Sequence, residues 1–414
     1  MTRRDLPLAG WPLVFVAALA MGTAGFYQFG WSSIRLPLGG RLGAPETALG
    51  TVFTLFVVTQ TLSQIPAGMV RDRIGPRIPL VVGAFCLAGG FAGLAVAGSL
   101  PVAYVAYAVG GVGAGVVYTV AINTAVKWFD ERRGLASGVV TMAYSGLSVV
   151  AIPFLRGGLT TAFERTLVIL AVVSGGVALA GVVVLRDPDR SNGEPTQRED
   201  DGATAGTDTE TDTKTDTGTE ETATYTWRET IRTWQFWLLY AVFAVVNGVG
   251  LMIIGKVVSY ANALALSPAV ATASASFVAL AEAIGIVLVG GVSDRFGHRR
   301  TVAASLVLTG LSLGVAIAVG TRGFGTVFVA FVALTMFFRG PTFAVFPTIV
   351  GEYFGVARSS ENYALLYTAK LFGGVFGGTI TSGLVVGLGW SPTFGLGAVL
   401  IVVAGVAMVA LRPV

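Results

Sequence analysis

GMVRDRIGPR, residues 68–77, and GGVSDRFGHR, residues 290–299, decide the fold. The two strings stand 222 residues apart, and Gly68, Asp72, Arg73, Gly75 and Arg77 coincide with Gly290, Asp294, Arg295, Gly297 and Arg299. Each follows an apolar stretch long enough to cross a bilayer and precedes another. Each position has a physical use. The first glycine lets neighbouring helices approach. The aspartate accepts hydrogen bonds at a helix end or pairs with a base. The second glycine permits a tight turn. The bases hold the turn at the membrane surface. A second echo pairs Lys127, Trp128 and Phe129 with Glu352, Tyr353 and Phe354. Any short loop holds glycine and arginine, but a duplicate at fixed spacing indicates an internal repeat.

Working outward from the repeat, the apolar periodicity predicts twelve spans. They cover 11–38, 45–70, 78–98, 101–126, 134–156 and 165–185, then 234–262, 267–293, 300–319, 325–350, 360–388 and 391–411. Hydrophobic residues make up 54% and charged residues 12%, with mean hydropathy +0.75. A soluble chain carries roughly a quarter charged residues, so this is an all-α polytopic membrane protein. The first span runs on without a small-residue cleavage site and reads as a retained helix. With the N-terminus cytoplasmic, 19 bases fall on the inner side and 5 on the outer. That bias favours a multi-pass protein of the cell membrane with both termini cytoplasmic. Residues 187–229 hold 13 of the 23 acids and only 4 bases. Their Thr/Asp alternation, TDTETDTKTDT at 207–217, cannot build a core and reads as a disordered, solvated linker. The chain thus divides into a six-helix bundle at 1–185, a cytoplasmic linker at 186–233 and a second six-helix bundle at 234–414.

Charges at mid-bilayer cost several kcal/mol by most scales, so they face cavities and carry function. Lys370 lies ten residues after Ser360, about 15 Å into the membrane at helical rise. Glu282 and Arg339 lie eleven residues from Ser293 and Val350, about 16 Å deep. All three share one depth and one half. Lys370 shares a helix face with Tyr363, Tyr367, Gly374 and Gly377; it suits an anionic substrate, or it pairs permanently with Glu282. Arg339 precedes Gly340-Pro341, which loosens the helix; it is either a second anion contact or the partner of Glu282. Lys256, nearer the end of its span, marks the outer mouth. In the first half the cavity candidates are uncharged: Tyr27 and Trp31 with Thr23, Gln60 with Gln64, Tyr118, and Tyr144 with Ser148. Each could equally serve as packing. His298 reads as a surface residue.

Nothing points to an enzyme. No phosphate-cradling loop with lysine and Ser/Thr is present. One cysteine and one histidine exclude a cysteine cluster or a multi-histidine metal site. No cofactor motif appears, and the basic excess belongs to membrane loops rather than to a nucleic-acid surface.

The duplicated 68–77 and 290–299 strings resemble the signature of the major facilitator superfamily. Its fold is two pseudo-symmetric six-helix bundles. Further strings are similar to the oxalate:formate antiporter and monocarboxylate porter families. They are GVGAGVVY at 111–118, KWFDERRGLASG at 127–138, GLMIIG at 250–255, Phe346-Pro347 with EYFG at 352–355, and NYALLYTAK at 362–370. The resemblance implies that Lys370 occupies the place of a substrate-binding lysine in span eleven. It also implies a substrate arginine in span eight, where this chain has Glu282 instead and places its arginine, Arg339, in span ten.

Parallel six-helix repeats with a site between them are a transporter plan. The expected function is secondary active transport of small organic anions, monocarboxylate-like and in the oxalate/formate range, by alternating access in a monomer. An exporter of drugs or metabolites is the alternative within transport, and it does not require buried bases. A non-transporting membrane sensor is the alternative of another class; it would need a folded cytoplasmic domain, for which the linker is too short and polar. Arg339 and Lys370 contribute +2, and ionised Glu282 leaves +1, which a monocarboxylate neutralises. Burial favours the neutral acid and nearby bases the ionised one, so Glu282 sets the charge balance and is the candidate carrier of a coupled proton.

Overall fold

The computed structural model describes residues 11–128, 133–186, 225–355 and 358–412. The Thr/Asp-rich run of the linker and the 129–132 part of the KWFDERRGLASG string lie outside the described residues. Those described are overwhelmingly helical, with no strand among them, and twelve helices are long and apolar enough to cross a membrane. Their outward faces carry large apolar side chains such as Phe15, Phe85, Val150 and Val183. So much exposed apolar surface is stable only against lipid. The chain is a multi-pass membrane protein of two six-helix bundles.

The repeat is visible in the backbone. Span two (Glu46–Ile74) and span eight (Pro268–Phe296) both stop on a glycine in the positive-φ region, Gly75 at 83° and Gly297 at 85°. A side chain there would be strained, and glycine is not. Both glycine N–H groups close the helix on the carbonyl four residues back, Arg71 and Ser293. The 68–77 and 290–299 strings are therefore mostly final helical turns. The loop proper is two residues in the first half and one in the second, before Arg77 and His298 open the next helices. Arg73, Arg77 and Arg295 are exposed, whereas Arg71 is fully buried and donates to Thr124 Oγ1 at 3.4 Å. His298 is not a lone surface group: its Nδ1 lies 2.5 Å from Glu352 Oε1.

Three spans are broken rather than continuous. Span one divides at Gly30 into Trp11–Phe29 and Trp31–Leu42. Tyr107 Oη donates to Tyr27 O at 2.5 Å and so takes the carbonyl that Trp31 N–H would have used. Span ten divides into Gly325–Arg339 and Pro341–Phe354, because Pro341 has no N–H and Thr342 Oγ1 takes the Arg339 carbonyl at 2.8 Å. Span eleven runs Ser359–Tyr367, Ala369–Val375, a π turn at Phe376–Ile380, and Thr381–Leu388. The halves meet where span two packs on span eleven, span five on span eight, and the Trp31–Leu42 helix on span seven (Trp234–Ala263). The described end of the linker is not disordered as expected: Tyr225 is held by its N–H to Phe354 O at 2.9 Å and by Asn362 Nδ2 to its carbonyl at 3.1 Å, and Trp227–Thr230 is a capped helical turn.

Candidate functional site

Between the halves lies a cavity of about 50 Å³, room for a few water molecules or one small carboxylate. The first half lines it with Gln28, Phe29, Tyr118, Thr141, Tyr144 and Ser145. The second half contributes Asn247, Leu251, Glu282, Ile286, Arg339, Phe343, Tyr367 and Lys370. The three intramembrane charges of spans eight, ten and eleven therefore converge on one place.

The break in span ten positions Arg339. Its Nη1 donates to Glu282 Oε1 at 2.9 Å, its Nε to Val246 O at 3.0 Å, and its Cζ lies 4.9 Å over the Phe343 ring. Gly250 makes this possible. A methyl built there would come within 2.0 Å of the guanidinium carbon, so a larger residue would push Arg339 out of this position. Arg339 and Glu282 are both buried, and among the described residues Glu282 Oε2 has no hydrogen-bond partner.

Lys370 is placed differently. It sits at the start of the Ala369–Val375 segment, 5% exposed. Among the described residues it has no carboxylate within ion-pair distance; its Nζ donates to Gln60 Oε1 of the other half at 3.0 Å and lies 5.7 Å over the Tyr367 ring. Gln60 Nε2 in turn donates to Tyr144 Oη at 2.5 Å, and Tyr144 donates to Gln28 Oε1 at 3.2 Å. The cavity therefore holds two bases and one acid, and the acid is committed to Arg339.

Several candidates stand elsewhere. Tyr27 stacks on Phe91 at 3.8 Å and donates its hydroxyl to Leu87 O at 2.6 Å, within the first half. Trp31 packs between Phe53 and Tyr107. Both are helix-packing groups, because their faces turn into the bundle. Tyr363 touches Tyr367 and Phe243 rings but does not line the cavity. Lys256 lies away from the cavity toward the end of its span, 1% exposed and bound to Glu46 and Ser382, so that end of the bundle is closed in this structure. Arg35 is fully buried and paired with Glu46. Sequence reasoning passed over Gln28, Asn247 and the Arg35–Glu46 pair. The signal available was an acid opening span two directly after Pro45, which also reads as a routine helix N-terminal acid.

The sequence profile of the Major Facilitator Superfamily matches residues 10–260 and again 244–414. The oxalate:formate antiporter of Oxalobacter formigenes is 30% identical over 392 residues, 93% of this chain and 87% of that protein. The MFS-type transporter YhjX of Escherichia coli is 26% identical over 341 residues, 81% of this chain and 79% of its own. Apicoplast pyruvate carrier 1 of Toxoplasma gondii is 23% identical over 362 residues, 75% of this chain and 65% of the carrier. With a profile match in each half, a repeated helix-terminal turn and a charged cavity between two six-helix bundles, the chain belongs to the major facilitator superfamily.

Proposed function

We propose that this protein is a secondary active transporter of small monocarboxylates, working by rocking of its two bundles about the cavity. One observation carries the reading: Lys370 is a buried lysine with a neutral amide where a counter-anion belongs, while Arg339 is already matched by Glu282. A buried unpaired cation is costly, and a singly charged carboxylate relieves it. Tyr118, Tyr144 and Tyr367 supply hydroxyls around the same space. The names of two relatives, an oxalate:formate antiporter and a pyruvate carrier, support small carboxylates. The small cavity speaks against amphipathic drugs, which occupy pockets of about 300–1,000 Å³. Within this reading residues 1–185 and 234–414 are the moving bundles and 186–233 the cytoplasmic linker, its Tyr225–Thr230 end anchored on the second bundle. The Gly75 and Gly297 turns and both termini face the cytoplasm of a plasma membrane, and the unit is a monomer.

The test is counterflow in proteoliposomes loaded with unlabelled formate, with labelled formate, acetate, pyruvate, lactate or oxalate outside. Monocarboxylates are expected to accumulate. Lys370→Ala is expected to weaken their binding by about 2 kcal/mol or more, the cost of deleting one partner of a buried charged contact. Binding as tight in that variant as in the parent removes Lys370 from the site.

A further inference from the structure

A second buried polar cluster closes the bundle at the end opposite the Gly75 and Gly297 turns, and the cavity makes no use of it. Arg35 and Glu46 belong to the first half; Lys256, Ser259 and Ser382 belong to the second. Arg35 pairs with Glu46 and donates Nη1 to Ser259 Oγ at 2.9 Å. Lys256 Nζ donates to Glu46 Oε1 at 3.0 Å and to Ser382 Oγ at 2.6 Å. Beside them Thr54 seals the seam, donating to Gly374 O at 3.1 Å and accepting from Thr379 N–H at 3.0 Å. Among the described residues two cations share one acid, so one positive charge stays buried, and Arg35 Nε has no hydrogen-bond partner.

Alternating access requires the halves to part here, and parting divides the cluster unequally. Arg35 keeps Glu46, and that pair is neutral. Lys256 leaves with Ser382 as a cation whose carboxylate has been withdrawn. We propose that Lys256 and Ser382 form a receiving site for a carboxylate anion at this mouth, which Glu46 occupies as a tethered substitute while the mouth is closed. The inference rests on the carboxylate-carrier reading above and extends it to a second site. Ser382 lies twelve residues beyond Lys370 on span eleven, about 18 Å at helical rise, so one helix carries both stations. An anion that binds only the open form shifts the equilibrium toward it by its differential affinity.

The experiment follows opening through Thr54→Cys in a Cys86→Ser background, reconstituted in proteoliposomes and labelled with an impermeant thiol reagent. Sodium formate is compared with sodium chloride at equal ionic strength and with neutral formamide. Formate is expected to accelerate labelling at position 54 on the order of 5–150-fold, the usual range for ligand–conformation coupling, and formamide is not. The acceleration should persist in Lys370→Ala, survive in Lys256→Arg, and vanish in Lys256→Met. Glu46→Gln should label rapidly without formate. Acceleration that disappears in Lys370→Ala, or that persists in Lys256→Met, overturns the receiving site. Failure of the central reading shows separately, as unimpaired formate binding by Lys370→Ala.

Discussion

Lys370 and Arg339 are both buried bases of one half, yet their surroundings differ in kind. Arg339 spends its planar fork on a carboxylate, a carbonyl and a ring face; Lys370 offers a point charge to an amide. Glu282 is what separates the two roles. Removing its charge with Glu282→Gln leaves two cations facing the cavity. Oxalate should then gain on formate as a competitor for labelled formate by roughly tenfold, the factor that 1.4 kcal/mol represents. An unchanged oxalate-to-formate ratio would detach Glu282 from the charge balance. If Glu282 also carries the coupled proton, the same variant keeps counterflow but loses acceleration by a pH gradient. The depth of the three charges was legible from helix rise alone, because an ionisable residue within a long apolar run has few places to go. Which base the acid chooses was not legible. That depends on the Gly340-Pro341 break, which swings Arg339 toward span eight. Nor was the inward turn of Tyr27 and Trp31, since a tyrosine or tryptophan on a helix face suits packing and binding equally well.

At the scale of the helix, irregularity gathers around the cavity. Spans ten and eleven break beside Arg339 and Lys370, and such discontinuous helices free backbone groups where a cavity can use them. Close approach of regular helices does the rest, and Gly250 is the case that touches the cavity arginine. Gly250→Ala should overpack the arginine by about 1–3 kcal/mol, lowering the melting temperature of the purified protein and its formate counterflow. Gly314, in span nine (His298–Gly320), has open space where a Cβ would go. Gly314→Ala is expected to leave both readouts intact or to raise stability slightly. Equal damage from both changes would mean that the contact with Arg339 is not what Gly250 provides. The span count and the helix-ending glycines could be read from the sequence, because apolar length and the duplicated string are local signals. The break at Gly30 could not, because its cause is Tyr107, which is 77 positions away in the chain.

For the whole molecule, the repeat makes two similar bundles, and the base distribution predicts which of their ends faces the cytoplasm. A cysteine placed at Thr207 in a Cys86→Ser background should resist an impermeant reagent applied to intact cells and react after permeabilisation. Arg322→Cys, in the exposed turn between spans nine and ten, should react at once. The opposite pattern inverts the topology. The paired Arg339–Glu282 and the solitary Lys370 have one more consequence, for electrical behaviour. On the proposed carboxylate-carrier reading, a carrier loaded with a monovalent anion crosses with a neutral cavity, whereas the empty carrier returns with one positive charge. A full elementary charge moved through the whole field feels about 2.3 kcal/mol per 100 mV, so voltage acts through the cavity on the empty form and not on the loaded one. In a polarised membrane the unloaded cavity is held facing the negative side, while the exchange of one anion for another proceeds indifferent to the potential.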